Sequence, residues 1–217
     1  MPAATIDELT VADEPAAWAE LGFAVSGEDV RIGRVRLRLA GAREHDGIIG
    51  WTLRGIRATD LDGLPTARSS RALPEPAAPQ PNGVVAVDHV VAISPALERT
   101  VDALQAAGLD LRRVREEPTP AGAPRQAFFR LGEEILEVIQ EPDEVVMRGG
   151  GADRPTRFWG LALTVADLDE TVARLGEHAG APRDAVQPGR RIATLRRSAG
   201  LAIPIALMTP GRDEVRA

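Results

Sequence analysis

The 217 residues contain only three histidines, and one of them, His89, lies in the β-branched run Val87-Asp88-His89-Val90-Val91. Successive side chains of a strand point to opposite faces, so His89 shares a face with Val85, Val87, Val91 and Ile93. By the same alternation Glu137, in the run from Glu134 to Pro142, shares a face with Ile135 and Ile139. Ionisable groups set among apolar neighbours need partners, because a buried unpaired carboxylate is either costly or forced to protonate. Two arrangements satisfy the residues. They can share a divalent ion, or a neutral imidazole can hydrogen-bond the carboxylate, in the core or at a wet rim. Both stay open from the residues alone.

Further candidates lie on neighbouring runs. Arg125 and Gln126 open one strand-like run, and Arg190 and Arg191 open another. Facing each other they would form a cationic clamp for a carboxylate or phosphate; apart they are solvated edge charges. Aromatic residues are only 3% of the chain, so Trp51, Phe128, Phe129, Phe158 and Trp159 stand out, and alternation sends one of each adjacent pair inward. Core packing is their ordinary role, with Trp51 and Trp159 as candidates to line an apolar ligand pocket. His178 sits at a helix end, where a cation complements the dipole, and His45 belongs to an exposed loop. There is no GxSxG, HExxH, Walker or dinucleotide glycine motif, and Gly149 to Gly151 lack the strand-then-helix context of a phosphate loop.

These residues sit on elements that recur in one order. From Gly83 a β-branched strand is followed by a helix in which Leu97, Val101, Leu104 and Ala107 fall at helical spacing. Then LRRVREE, RQAFFRL and EILEVIQ give three strands. The last segment repeats the pattern: RFWGLALTVA, the helix LDETVARLGEHA, a weak run around Val186, then RIATLRR and IPIALMT. Each unit reads β-α-β-β-β, and Glu137 to Pro142 aligns with Ile205 to Pro210. The first sixty residues hold an eroded copy, with TIDELTVAD, a short helix EPAAWAELGF, and VRIGRVRLRLA and IIGWTLRGI as later strands. The expected organisation is an N-terminal unit over 1–62, a Pro/Ala-rich linker over 63–83 that runs extended or disordered, a unit over 84–147, a Gly-rich linker over 148–155 and a unit over 156–212.

Paired βαβββ units with His in the first strand and Glu in the last resemble the vicinal oxygen chelate superfamily, which includes glyoxalase I, extradiol dioxygenases, methylmalonyl-CoA epimerase and bleomycin-resistance proteins. The likeness rests on Val87-Asp88-His89-Val90-Val91, on Glu134 to Pro142 and on Phe158 to Asp169. It implies an α+β glyoxalase-like fold, in which tandem units curl a mixed sheet into a cup around the site. It also implies a divalent metal ion held by four side chains, two per unit, with His89 and Glu137 as ligands. The last unit departs from that pattern, with Gly160 at the place of His89 and Ile205 at the place of Glu137. In the N-terminal unit the matching places fall near Ile6 or Glu8 and near Trp51 to Leu53. Glu8 is the plausible donor there, as third ligand or base, with His45 as another candidate. Open catalytic sites normally keep three protein ligands, so the metal site is expected to be incomplete.

Composition narrows the function classes. With 26 basic against 32 acidic residues the net charge is −6, which argues against nucleic acid as a partner. All the basic residues are Arg, and Lys, Cys and Tyr are absent. Thiolate ligands, disulfides, Schiff-base lysines and tyrosine acids are excluded. No apolar run approaches a membrane span and the acidic start is unlike a signal peptide, so a soluble cytoplasmic protein without membrane partners is expected. The expected role is that of a small-molecule protein acting on or binding an oxygenated or anionic metabolite in the cup. The alternatives are a metal-dependent lyase, isomerase or dioxygenase using His89 and Glu137, and a non-catalytic resistance, sequestration or interaction protein. An odd number of units leaves the N-terminal one to pack beside the cup or to pair with its copy in a homodimer.

Overall fold

A computed structural model describes residues 3–41, 47–119, 122 and 124–211; His45 lies outside them. Its elements are β1 (Thr5–Val11), α1 (Pro15–Glu20), β2 (Val25–Ser26), β3 (Asp29–Ile32), β4 (Val35–Leu39), β5 (Ile48–Arg54), β6 (Thr66–Arg68), β7 (Val84–Ser94), α2 (Leu97–Ala106), β8 (Asp110–Arg115), β9 (Gln126–Leu131), β10 (Glu134–Gln140), α3 (Asp143–Arg148), β11 (Arg157–Val165), α4 (Leu168–Leu175), β12 (Arg183–Asp184), β13 (Arg191–Thr194) and β14 (Ile205–Met208). The fold is α+β with two mixed sheets. One has the order β2-β3-β4-β1-β5-β6 and the other β12-β13-β14-β11-β7-β10-β9-β8.

One topology occurs three times: a strand, a helix and three strands, the last pairing in parallel with the first. β4 returns to β1, β10 to β7 and β14 to β11. The first copy closes differently from the sequence expectation. VRIGRVRLRL is a hairpin of two strands, β3 and β4, so the copy is complete at Leu39. The run IIGWTLRGI is β5, an added strand beyond β1. Counted back from the strand's last residue, the place of Glu137 in this copy is therefore Arg36 in β4, not Trp51 to Leu53. β5 takes the edge of β1 opposite β4.

The chain divides into two compact units. The first comprises Met1–Asp7, Gly50–Ala72 and His89–Trp159. Its sheet segment buries one face under α2. Val90, Ala92, Ala127, Phe129, Leu131, Leu136 and Val138 are fully buried there, with Leu97 and Leu104 of the helix. Each such Val, Leu or Phe side chain contributes roughly 1.5–3 kcal/mol, so this face holds the unit together. The Gly-rich stretch before β11 is fastened by Asp62. Its carboxylate accepts from Arg99 Nε at 2.7 Å, Thr100 Oγ1 at 2.5 Å and Thr156 Oγ1 at 2.8 Å. Arg99 also donates to the carbonyls of Ala152 and Arg154, each at 2.6 Å. Asp62 holds φ at 52°, and a side chain on the adjacent Gly63 would strike Pro155 at 2.2 Å.

The second unit comprises Glu8–Ile49, Leu73–Asp88 and Gly160–Ala217. Here α1 starts on Pro15 and buries Trp18 against Phe23, with ring centroids 4.7 Å apart. Helix α4 is capped by Asp167, whose side chain accepts from Glu170 N at 2.9 Å. The Pro-rich segment is ordered where it carries amides. Gln80 Oε1 accepts from Ala24 N at 2.8 Å and its Nε2 donates to the Arg31 carbonyl, while Asn82 donates to the Leu21 carbonyl. The strand expected around Val186 is the short β12, and Val186 itself is exposed. Among the described residues no helix is long and apolar enough to cross a membrane.

Candidate functional site

The face of β7, β10 and β9 turned away from α2 carries the chemistry. Strand register sets out three rows across it. His89 stands opposite Ile135, and Ile135 opposite Arg130; Val91 stands opposite Glu137, and Glu137 opposite Phe128; Ile93 stands opposite Ile139, and Ile139 opposite Gln126. The polar groups therefore lie on a diagonal, one per strand, which long side chains can span. His89 Nε2 is 3.4 Å from Glu137 Oε2, and Gln126 Nε2 donates to Glu137 Oε1. The His89 and Glu137 side chains are 20% and 13% exposed. Gln126 is buried, and its Oε1 has no hydrogen-bond partner among the described residues. Val91, Ile93, Ile135 and Ile139 surround the diagonal with apolar surface.

The other candidates are placed elsewhere. Arg125 does not join a clamp: its guanidinium is paired with Glu98 and with Glu116, the latter at 2.6 Å, and these contacts raise its pKa. Arg191 is held by Asp169 at 2.7 Å, and Arg190 by Asp88 and the Thr209 carbonyl. Each cation expected to meet a ligand is thus already neutralised within its own unit. Trp51 is a core residue, 2% exposed. It packs edge-on against Phe158 with centroids 5.1 Å apart, and its indole donates to Thr66 Oγ1 at 2.7 Å. Trp159 is 48% exposed and does not floor a buried pocket. His178 ends the short 3₁₀ turn that follows α4.

Glu8 is ion-paired with Arg36, its cross-strand neighbour on β4. In the last copy the place of His89, counted back from the start of the helix, is Gly160. There a Cβ would lie 2.9 Å from the Pro204 carbonyl oxygen, so backbone packing forbids any ligating side chain. Strand register gives Trp159 as the alternative match, since Leu161 faces Ile205 as Val91 faces Glu137; a tryptophan is no ligand either. Among the described residues no group of three or more His, Asp or Glu could hold a metal ion. His89 and Glu137 supply two donors. The set does not fit an open centre with three protein ligands.

No protein-family model matches the chain, and no curated protein matches it. Solved structures do. A triply substituted 4-hydroxymandelate synthase from Streptomyces coelicolor superposes with a TM-score of 0.64 at 13% identity, covering 97% of this chain and 93% of that one. A xylose isomerase-like TIM barrel/4-hydroxyphenylpyruvate dioxygenase fusion protein gives 0.60 at 13% identity, covering 100% of this chain and 51% of that one. Methylmalonyl-CoA epimerase from Mycobacterium tuberculosis gives 0.48 at 19% identity, covering 62% of this chain and 94% of that one. At such identities the likeness speaks for the fold. Three βαβββ copies, each with its last strand returning parallel to its first, together with the two broader superpositions, give this chain a glyoxalase-like fold.

Proposed function

We propose that the chain is a glyoxalase-like small-molecule protein, binding or acting on a small oxygenated or anionic metabolite on the open face of β7, β10 and β9. One observation carries this reading: Glu137 is held between His89 and Gln126 on a half-buried face, with aliphatic residues around it. An imidazole and a carboxylate in contact can take a proton from a ligand O–H, or from a C–H beside a carbonyl, and return it. The amide of Gln126 fixes one carboxylate oxygen and leaves the other for His89. The apolar surroundings weaken solvent screening, so polar contacts to a ligand count for more than they would in water. The working residues are His89, Glu137 and Gln126, without Glu8, Arg125, Arg191 or Trp51. The partner is a small molecule.

The test is metal analysis of protein purified without chelator, together with thermal shifts for small aromatic and 2-oxo acids. A ligand that binds only the folded state raises the melting temperature. Wild type is expected to shift with at least one such acid, and Glu137→Gln to shift less. Stoichiometric divalent metal in wild type, lost in His89→Ala, would replace this reading with a metal-dependent lyase, isomerase or dioxygenase. A shift without metal would fit catalysis or sequestration alike, and no ligand-induced shift at all would leave an interaction protein.

A further inference from the structure

We infer that Arg113 is the anion-binding residue of this face, and that the ligand is a carboxylic acid carrying a second oxygen that reaches Glu137. The inference rests on the function proposed above and names its substrate class.

It begins with an irregularity in β8. Asp110 stands opposite Arg130 and Leu111 opposite Phe129, but Arg113 then stands opposite Phe128, leaving Arg112 as an extra residue. Bulges of this kind re-aim side chains. With regular pairing Arg112 would oppose Phe128 and Arg113 would oppose Ala127, on the side packed beneath α2. The bulge instead sends Val114 to the core side opposite Ala127 and turns Arg113 and Arg115 to the open face. Arg113 thereby joins the row Val91, Glu137, Phe128.

The guanidinium of Arg113 lies 5.0 Å from the centroid of the Phe128 ring. Stacking restrains the side chain while leaving its N–H edge able to meet a carboxylate with two parallel hydrogen bonds. Among the described residues no carboxylate lies within ion-pair distance of Arg113, whereas Arg190 and Arg191 are each bound to one and Arg125 to two. Arg115, on the row of Gln126, is by contrast paired with Glu117 at 3.9 Å. Adjacent strands are about 4.8 Å apart, so the backbones of Arg113 and Glu137 are separated by roughly 10 Å. A small acid with its carboxylate on Arg113 and a hydroxyl or carbonyl directed at Glu137 fits that interval.

The experiment is calorimetric titration of the full chain with 3-hydroxybenzoate and with 3-hydroxybenzamide, which share size and hydroxyl but differ in charge. Wild type is expected to bind the benzoate at least tenfold more tightly. Arg113→Gln is expected to weaken the benzoate at least tenfold and leave the amide unchanged, while Arg125→Gln alters neither. A benzoate preference that survives Arg113→Gln overturns the proposal, as does a wild type that shows no preference or takes neither probe at millimolar concentration. Glu137→Gln separates the two claims. If the benzoate preference depends on Arg113 but neither probe responds to Glu137→Gln, the anion site stands and the function assigned to Glu137 falls.

Discussion

Two carboxylates of the same unit are almost equally buried, with side-chain exposures of 10% for Asp62 and 13% for Glu137, yet their surroundings differ in kind. Asp62 takes hydrogen bonds from a guanidinium and two hydroxyls that arrive from α2 and from the start of β11. Burial opposes its charge, but those hydrogen bonds outweigh the cost and hold the carboxyl below its usual value. Glu137 meets the His89 imidazole and the amide of Gln126, whose own oxygen is buried without a hydrogen-bond partner among the described residues. A carboxylate ringed by donors from distant segments fastens the fold. One beside an imidazole and an amide, on the sheet face turned away from α2, is the acid on which the proposed function rests. Burial alone does not distinguish the two acids; the kinds of group that meet them do.

The largest test of this contrast is Asp62→Ala. It removes the acceptor shared by Arg99, Thr100 and Thr156 and should lower stability by about 3 kcal/mol, seen as a lower midpoint in urea with unchanged slope. Its pH dependence has a defined sign. Because the folded-state pKa of Asp62 is lowered, its contribution is complete above the unfolded value of about 3.9 and is lost as pH falls through the lower folded value. Asp62→Asn should therefore flatten the acid limb of the stability curve. A wild-type limb of unchanged steepness in that variant would deny Asp62 its role.

Gly160→Ala comes next. Its methyl would meet the Pro204 carbonyl at 2.9 Å, and a loss of roughly 1–3 kcal/mol is expected on overpacking grounds. A neutral outcome in thermal melts would mean that the last copy has room for a ligand after all. Glu137→Gln should change stability by no more than about 1 kcal/mol, while weakening a bound acid at least tenfold in titrations. The reverse pattern, a large stability loss with binding intact, would make Glu137 a second Asp62. Smallest of all is Arg125→Gln. Its pairs with Glu98 and Glu116 are solvent-facing, so a change within about 1 kcal/mol is expected, with ligand affinity unaltered.

Much of the site could be read along the chain. Alternation put His89 and Glu137 each on a face with aliphatic neighbours, and the structure brings the two together. Gln126 was legible as a strand residue, but its donation to Glu137 depends on the register of β9 against β10. Arg125, its sequence neighbour, was read as a ligand clamp. The acids that occupy it, Glu98 and Glu116, come from the first turn of α2 and the end of the β8 segment, and only tertiary contact shows them. Arg113 went unremarked because strict alternation along β8 hides the bulge that turns it to the open face.

What the sequence determined by itself is the order of strands and helices, their repetition, and the face on which most side chains fall. Those properties follow from local periodicity, which each segment carries in its own residues. The tertiary structure decided which strands became neighbours: β4 rather than β5 as the return strand of the first copy, Pro204 pressed against Gly160, and Arg36 beside Glu8. Strand partners are chosen by backbone hydrogen bonds and packing between segments far apart in the chain, and no local pattern records that choice.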